Sequence, residues 1–304
     1  MNFLLALLPV IAIVALGRFM AWRDVLPEAG WRGIERICYI LIFPALIVRV
    51  LANAPFDEAP WRIALALIGA QLVMALLGWL AALSKSTARP SVGSIIQSNT
   101  RWNTFVALSL GGSLYGEAGL ALVAIAAAAM IPTANVLSVT ALSHYGDTGP
   151  DSPKKRPFRD LATNPLVIAC VIGGALNVTG LTPTGVFDET LDILSRGAIG
   201  LGLLSAGAGV DLAALRRSGP PTVFWSLIRL LILPALAGGA AILLGLEGME
   251  LAIVVIAAST PTATNAYVLS RQLGGDAPLT ANLIAVQTVL AAFTMPIVFL
   301  LLTR

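Results

Sequence analysis

About ten runs of roughly 20 mostly apolar residues follow one another along the chain, each long enough to cross ~30 Å of hydrocarbon as a helix. They are Asn2–Met20, Ile34–Ala52, Ile63–Leu83, Val92–Gly112, Ala118–Leu142, Leu161–Val178, Leu191–Leu212, Val223–Leu244, Leu251–Leu273 and Leu279–Leu302. No water inside a bilayer can satisfy backbone polar groups, so runs of this length read as helices that bond internally. Of 304 residues, 57% are hydrophobic and 12% charged, more apolar surface than one water-facing core could hide. Lipid is therefore the expected solvent. Residues 1–21 lack a basic leading segment and run straight into Arg18, so the expectation is a first span and not a secretion signal. Cys38 and Cys170 lie inside apolar runs without metal or disulfide spacing and read as packing residues.

The formal charge of +3 would suit nucleic-acid binding in a soluble protein, but here the basic residues cluster at the ends of the runs. Of 19 Lys and Arg, 13 fall on one side of a ten-span alternation: Arg18, Arg23, Arg32, Arg36, Lys85, Arg89, Lys154, Lys155, Arg156, Arg159, Arg216, Arg217 and Arg271. The opposite side collects Arg49, Arg62 and Arg304, and Arg101, Arg196 and Arg229 lie within runs. Cytoplasmic loops carry the Lys/Arg excess, which predicts a multi-pass protein of the cell inner membrane with both termini periplasmic or extracellular. Nucleic acid is not an expected partner; the lipid bilayer is.

An odd number of spans in each half makes the second half enter the membrane upside down. The expected organisation is a first five-helix repeat over 1–143, a cytoplasmic linker over 144–160 and a second repeat over 161–304. Traces of duplication agree: ProValIleAlaIleValAlaLeuGly from Pro9 is echoed by ProLeuValIleAlaCysValIleGly from Pro165. Asn103, Leu110GlyGly and Met130IlePro recur in order as Asn265, Leu273GlyGly and Met295Pro. The fold expected is an all-α membrane protein of ten transmembrane helices in two inverted five-helix repeats, with helices 4 and 9 broken and crossing near the midplane.

The fourth and ninth runs carry the polar residues that point there. From Gln97 to Thr104 only Trp102 is apolar, and this stretch lies ~10 to 20 Å beyond Pro90 at 1.5 Å per residue. In SerThrProThrAlaThrAsn from Ser259 to Asn265, Pro261 cannot donate the hydrogen bond that a helix requires of it. Interrupted backbone must line a protein-enclosed cavity, and the positive end of a half-helix there favours an anion. Arg101 is a guanidinium in mid-span, costly to bury and matched to a carboxylate; its alternative role is to satisfy loose carbonyls of the break. The candidate substrate-binding residues are Asn99, Arg101, Asn103, Asn135, Thr260, Pro261, Thr262, Thr264, Asn265 and Tyr267. Polar residues of this kind also serve as helix-to-helix hydrogen bonds.

Arg196 and Arg229 are expected to snorkel to the headgroups, and Asp211 to sit near Arg216 at the interface. Small residues dense between Ser195 and Gly209 suit either static packing or a sliding surface. His144, the one histidine, falls in the linker, and no acidic residue lies mid-span in helices 3–5 or 8–10. That argues against a histidine proton relay, a zinc site and a mid-span proton-carrying carboxylate. No catalytic constellation is present, so no enzyme, metal or cofactor is expected. A carrier and an anion-selective channel remain open, as does coupling to protons or sodium.

Four segments, ArgTrpAsnThrPhe from Arg101, ProThrAlaAsnValLeuSerVal at 132–139, AsnProLeuValIleAla at 164–169 and ProThrAlaThrAsnAlaTyrValLeu at 261–269, together resemble the auxin efflux carrier family. That family includes plant auxin exporters and bacterial malonate or malate carriers. The resemblance covers nearly the whole chain. It implies transport of small organic acids, auxin-like or dicarboxylate, by an elevator-like movement. Spans 3–5 and 8–10 would form the mobile domain, with spans 1, 2, 6 and 7 as scaffold and surface of a homodimer. The long central loop of the plant proteins is absent here, so regulation through that loop is not implied.

Overall fold

A computed structural model describes residues 3–54, 61–84, 86–147 and 163–303, and these are helical with no strand among them. In chain order the helices are α1 (Phe3–Trp22), α2 (Glu28–Ile37), α3 (Phe43–Ala52), α4 (Trp61–Trp79), α5 (Arg89–Thr100), α6 (Thr104–Tyr145), α7 (Pro165–Thr179) and α8 (Gly185–Arg196). They continue with α9 (Ala198–Ala208), α10 (Leu212–Arg217), α11 (Pro220–Leu227), α12 (Leu233–Leu243), α13 (Gly248–Ser259), α14 (Ala266–Gln272) and α15 (Ala277–Leu302). Most of the proposed linker, with Lys154, Lys155, Arg156 and Arg159, lies outside the described residues, as do Lys85 and Arg304.

Among the described residues, six helical stretches are long and apolar enough to cross a membrane: Leu5–Trp22, Trp61–Leu83, Arg89–Tyr145, Gly185–Ala208, Pro220–Leu243 and Ala277–Leu302. Pro165–Thr179 and Gly248–Ser259 are shorter apolar helices. Leu8, Leu76, Val171, Val178, Phe293 and Leu301 point outward from their helices, as a chain solvated by lipid requires.

Local sequence explains the boundaries. Proline opens α5, α7, α11 and α15, where its missing N–H costs nothing. Asn164 caps α7 through the amides of Leu166 and Val167, at 3.0 and 3.4 Å, and Asp276 caps α15 through Leu279 at 2.9 Å. α2 joins α3 through a π-helical turn, Cys38–Ile42, and α11 joins α12 through another, Ile228–Ile232. Each precedes a proline, Pro44 or Pro234, whose ring would clash with the carbonyl of a regular turn. α6 keeps its helical path through Pro132 and is interrupted at Gly116, where φ is 62°.

The chain forms two compact units. The first comprises Met1–Trp61, Phe105–Ala128 and Ala162–Gly209; the second comprises Arg62–Thr104, Ala129–Leu161 and Val210–Arg304. Each therefore draws on both halves of the sequence.

In the first unit α1 packs on α9 so closely that a Cβ at Gly17 would overlap the Leu204 carbonyl, and one at Gly207 the Val14 carbonyl. Gly202 accepts the stacked rings of Phe43 and Phe105, whose centroids lie 4.4 Å apart. Part of the small-residue density in the seventh run is thus spent on static packing inside this unit. Asn177 Nδ2 donates to the carbonyls of Leu51, Ala52 and Ala54 at 3.1, 3.3 and 2.7 Å, closing the C-terminal end of α3. Arg49 meets Asp188, Asp192 and Glu117 at 3.2, 3.3 and 3.7 Å, and Arg196 pairs with Asp192 at 2.6 Å.

The second unit holds most of the buried polar side chains, among them Gln71, Gln97, Asn99, Arg229, Thr262 and Gln287. At one end Asp276 accepts from Ser91 Oγ at 2.7 Å, Arg89 donates to the His144 carbonyl at 2.7 Å and the Asp147 amide to the Gly274 carbonyl at 2.8 Å. Asp211 caps α10 and pairs with Arg217 at 3.1 Å, the residue after Arg216.

Candidate functional site

Two interruptions lie inside the second unit. α5 ends at Thr100 and residues 101–103 are extended or irregular before α6 begins. α13 ends at Ser259 and residues 260–265 carry no helix before α14 begins. Thr260 and Arg101 take similar backbone conformations, φ −65° with ψ 150° and φ −75° with ψ 149°. Pro261, lacking an N–H, follows directly, which is why this helix stops where it does.

The interruptions touch one another. The Asn103 amide donates to Thr260 Oγ1 at 3.2 Å, and Thr262 Oγ1 donates to the Ser98 carbonyl at 2.7 Å. Every carbonyl freed by a break needs a donor when water is excluded, since an orphan costs several kcal/mol in hydrocarbon, of the order of ~4–8 on a cyclohexane scale. Side chains of neighbouring helices bond to the backbone at and around the breaks. Gln71 on α4 gives its Nε2 to the Thr100 carbonyl at 2.8 Å and to the Met130 carbonyl at 3.3 Å. Gln97 Nε2 reaches the Ala266 carbonyl at 3.1 Å and Ser270 Oγ at 2.9 Å. Gln287 on α15 accepts from the Thr262 amide at 2.9 Å.

Arg229 does not snorkel. It is fully buried on the π-helical turn, and its guanidinium donates to the Ala258 carbonyl at 2.7 Å and to the Arg101 carbonyl at 3.1 Å. The expectation failed because snorkelling depends on which neighbours surround the side chain: unpaired carbonyls at the two breaks offer a better partner than distant headgroups. The extra residue in the π turn aims the side chain at them.

Arg101 itself points elsewhere. Its guanidinium is half-buried and donates to Asn265 Oδ1 at 3.1 Å and to Asn135 Oδ1 at 2.8 Å. Both of these acceptors are neutral amide oxygens, and together they orient the guanidinium.

Of the ten candidates, Arg101, Asn135 and Asn265 form one hydrogen-bonded group, while Asn103, Thr260 and Thr262 knit the interruptions together. Pro261 is buried between Thr260 and Thr262. Asn99 is wholly buried against Gly78 of α4, where a Cβ would come within 3.0 Å of its Nδ2, and its amide makes no hydrogen bond among the described residues. Tyr267 is exposed, its ring 6.0 Å from the Arg271 guanidinium. Thr264 is partly exposed on the second interruption. Gln71, Gln287 and Arg229 were not among the candidates; each is a strong hydrogen-bonding group in an otherwise apolar run, and Gln287 belongs with Thr288 and Thr294 to a polar stripe legible in the tenth run.

Comparison with known proteins agrees with the motif resemblance. Residues 154–299 match the family model described as "Membrane transport protein". An uncharacterized transporter of Methanothermobacter thermautotrophicus is 27% identical over 305 residues, an alignment covering 95% of each chain.

Proposed function

We propose that this chain, which matches the membrane transport protein family over residues 154–299, is a secondary carrier of that family for a small organic anion and works by elevator-type alternating access. The observation that carries the proposal is the Arg101 guanidinium, held by two neutral amides beside two helix interruptions that contact one another. A carboxylate meeting this planar fork gains paired, charge-assisted hydrogen bonds, each worth about 1.5–3 kcal/mol. The sequence places no Asp or Glu at mid-depth in the spans of this unit. Asn135 and Asn265 are the orienting residues, and Asn103, Thr260 and Thr262 hold the geometry. Asn99, Pro261, Thr264 and Tyr267 complete the proposed site.

Ten spans in two inverted repeats fit this reading. Gln71 serves the Thr100 carbonyl from 29 residues upstream, and Arg229 serves the Ala258 carbonyl from the same 29. In a duplicated fold these are the same contact made twice, from the helix before each broken one. Within the first unit Arg49 meets Glu117 and Asp188, and within the second Arg89 meets His144 and Ser91 meets Asp276; each set is one that ten alternating spans assign to a single membrane face, which supports the alternation.

The two units also support an elevator. Spans 1, 2, 6 and 7 fall in the first, as a scaffold and homodimer surface would; spans 3, 8, 9 and 10 fall in the second, with the interruptions. Residues 105–128 depart from the simple division by joining the first unit. The inner membrane, with both termini outside, is the proposed location.

The test is a thermal-shift screen of small carboxylates and indole acids on purified protein, followed by uptake of any hit into proteoliposomes. A ligand that binds only the folded state raises the melting temperature. If every carboxylate leaves melting and uptake unchanged, the proposal fails.

A further inference from the structure

Arg229 joins two half-helix ends that otherwise belong to different spans. Ala258 is in the last turn of α13 and Arg101 follows the last residue of α5, so both carbonyls lie at the negative end of a helix dipole. One fully buried guanidinium donates to both, at 2.7 and 3.1 Å. Among the described residues no carboxylate comes within ion-pair distance of it. A buried charge so placed is compensated by carbonyl dipoles, which is also how a dehydrated metal cation is held.

Unwound carbonyls and half-helix C-terminal ends are the ligands with which broken-helix carriers bind a sodium ion. Here two such ligands face a cation that is covalently part of the chain. A second monovalent cation among the same carbonyls would meet it at close range in a low-dielectric interior, where like charges repel strongly.

We infer that Arg229 is a resident cation: it fills the carbonyl pair shared by the two interruptions, supplies permanently the charge that a coupling sodium ion would bring, and so makes anion binding independent of sodium. It is a positioning residue, because the main-chain carbonyl it grips belongs to Arg101, whose side chain is oriented by Asn135 and Asn265. The inference names the ion coupling of the carrier proposed above and rests on that reading for its transport consequence only.

The experiment uses the purified full-length chain in detergent, with no carboxylate present, melted in sodium chloride and in choline chloride at equal ionic strength. For the unsubstituted protein the two melting temperatures are expected to coincide. Arg229→Ala should melt several degrees lower, and sodium or a low concentration of guanidinium should raise it saturably where choline does not. Arg229→Gln, closer in size, decides the matter if the alanine variant fails to fold, and should acquire the same response to sodium. Arg229→Lys keeps the charge and should remain indifferent to sodium. Saturable stabilisation of the unsubstituted protein by sodium overturns the inference, as does a folded Ala or Gln variant that responds to neither sodium nor guanidinium. Since no organic anion enters these melts, their outcome is separate from whether the chain transports one.

Discussion

The side chain of Arg229 holds the main-chain carbonyl of Arg101 at 3.1 Å, so the two arginines of this interior divide the work. Arg229 meets the backbone of the interruptions, and Arg101 is directed to the amides of Asn135 and Asn265. Satisfying loose carbonyls, a role the sequence left open for Arg101, is one that Arg229 takes at Ala258 and Arg101.

Arg101→Ala is expected to abolish uptake of a carboxylate substrate into proteoliposomes while the melting temperature stays within a few degrees of the unsubstituted protein. Arg101→Lys keeps the charge but loses the planar fork, and a loss of about tenfold in affinity is expected, or ~1.4 kcal/mol. Titrated thermal shifts and uptake measure both, and unchanged uptake by the alanine variant removes Arg101 from the site.

Asn265→Asp places a carboxylate where a neutral amide now accepts from Arg101 at 3.1 Å. The new ion pair should neutralise the guanidinium and weaken anion binding by more than tenfold, with the loss relieved on acidification as the carboxyl protonates. Asn265→Ala removes the orienting contact without adding charge and should cost less. Equal effects from both would mean that orientation, not charge, governs binding.

Thr262→Val deletes the hydroxyl that donates to the Ser98 carbonyl at 2.7 Å in a fully buried setting. An unsatisfied buried carbonyl costs about 1–3 kcal/mol, so melting should fall by several degrees, whereas Thr262→Ser should be nearly neutral. Denaturation of the two purified variants side by side checks this.

Gly207→Leu should destabilise the first unit, because even a Cβ at this position would overlap the Val14 carbonyl. Overpacking of this kind costs about 1–3 kcal/mol or more. A melting temperature equal to that of the unsubstituted protein would show that α1 and α9 do not pack as described.

For the orientation, Cys38 and Cys170 are first replaced by alanine, and single cysteines are then introduced as Thr182→Cys and Ser86→Cys. A membrane-impermeant thiol reagent should label the first in intact cells and the second only after lysis. The reverse pattern would invert the proposed topology. Saturating, small carrier currents in reconstituted bilayers, in place of large unitary conductance, would separate the carrier from a channel.

Much of this protein was determined by local chemistry and was therefore legible in the sequence. Apolar runs must become helices in lipid because the backbone has nowhere else to bond, and Pro261 ends α13 because it lacks an N–H. The polar stretch at Gln97–Thr104, which contains no proline, marked the other interruption by its composition. What neighbours do was not legible. Tertiary structure alone decided that Gln71 and Gln287 serve the interruptions, that Tyr267 lies beside Arg271 and that Arg229 turns inward. A guanidinium in mid-span goes wherever the strongest acceptors are, and the carbonyls it found come from residues 29 and 128 positions away along the chain.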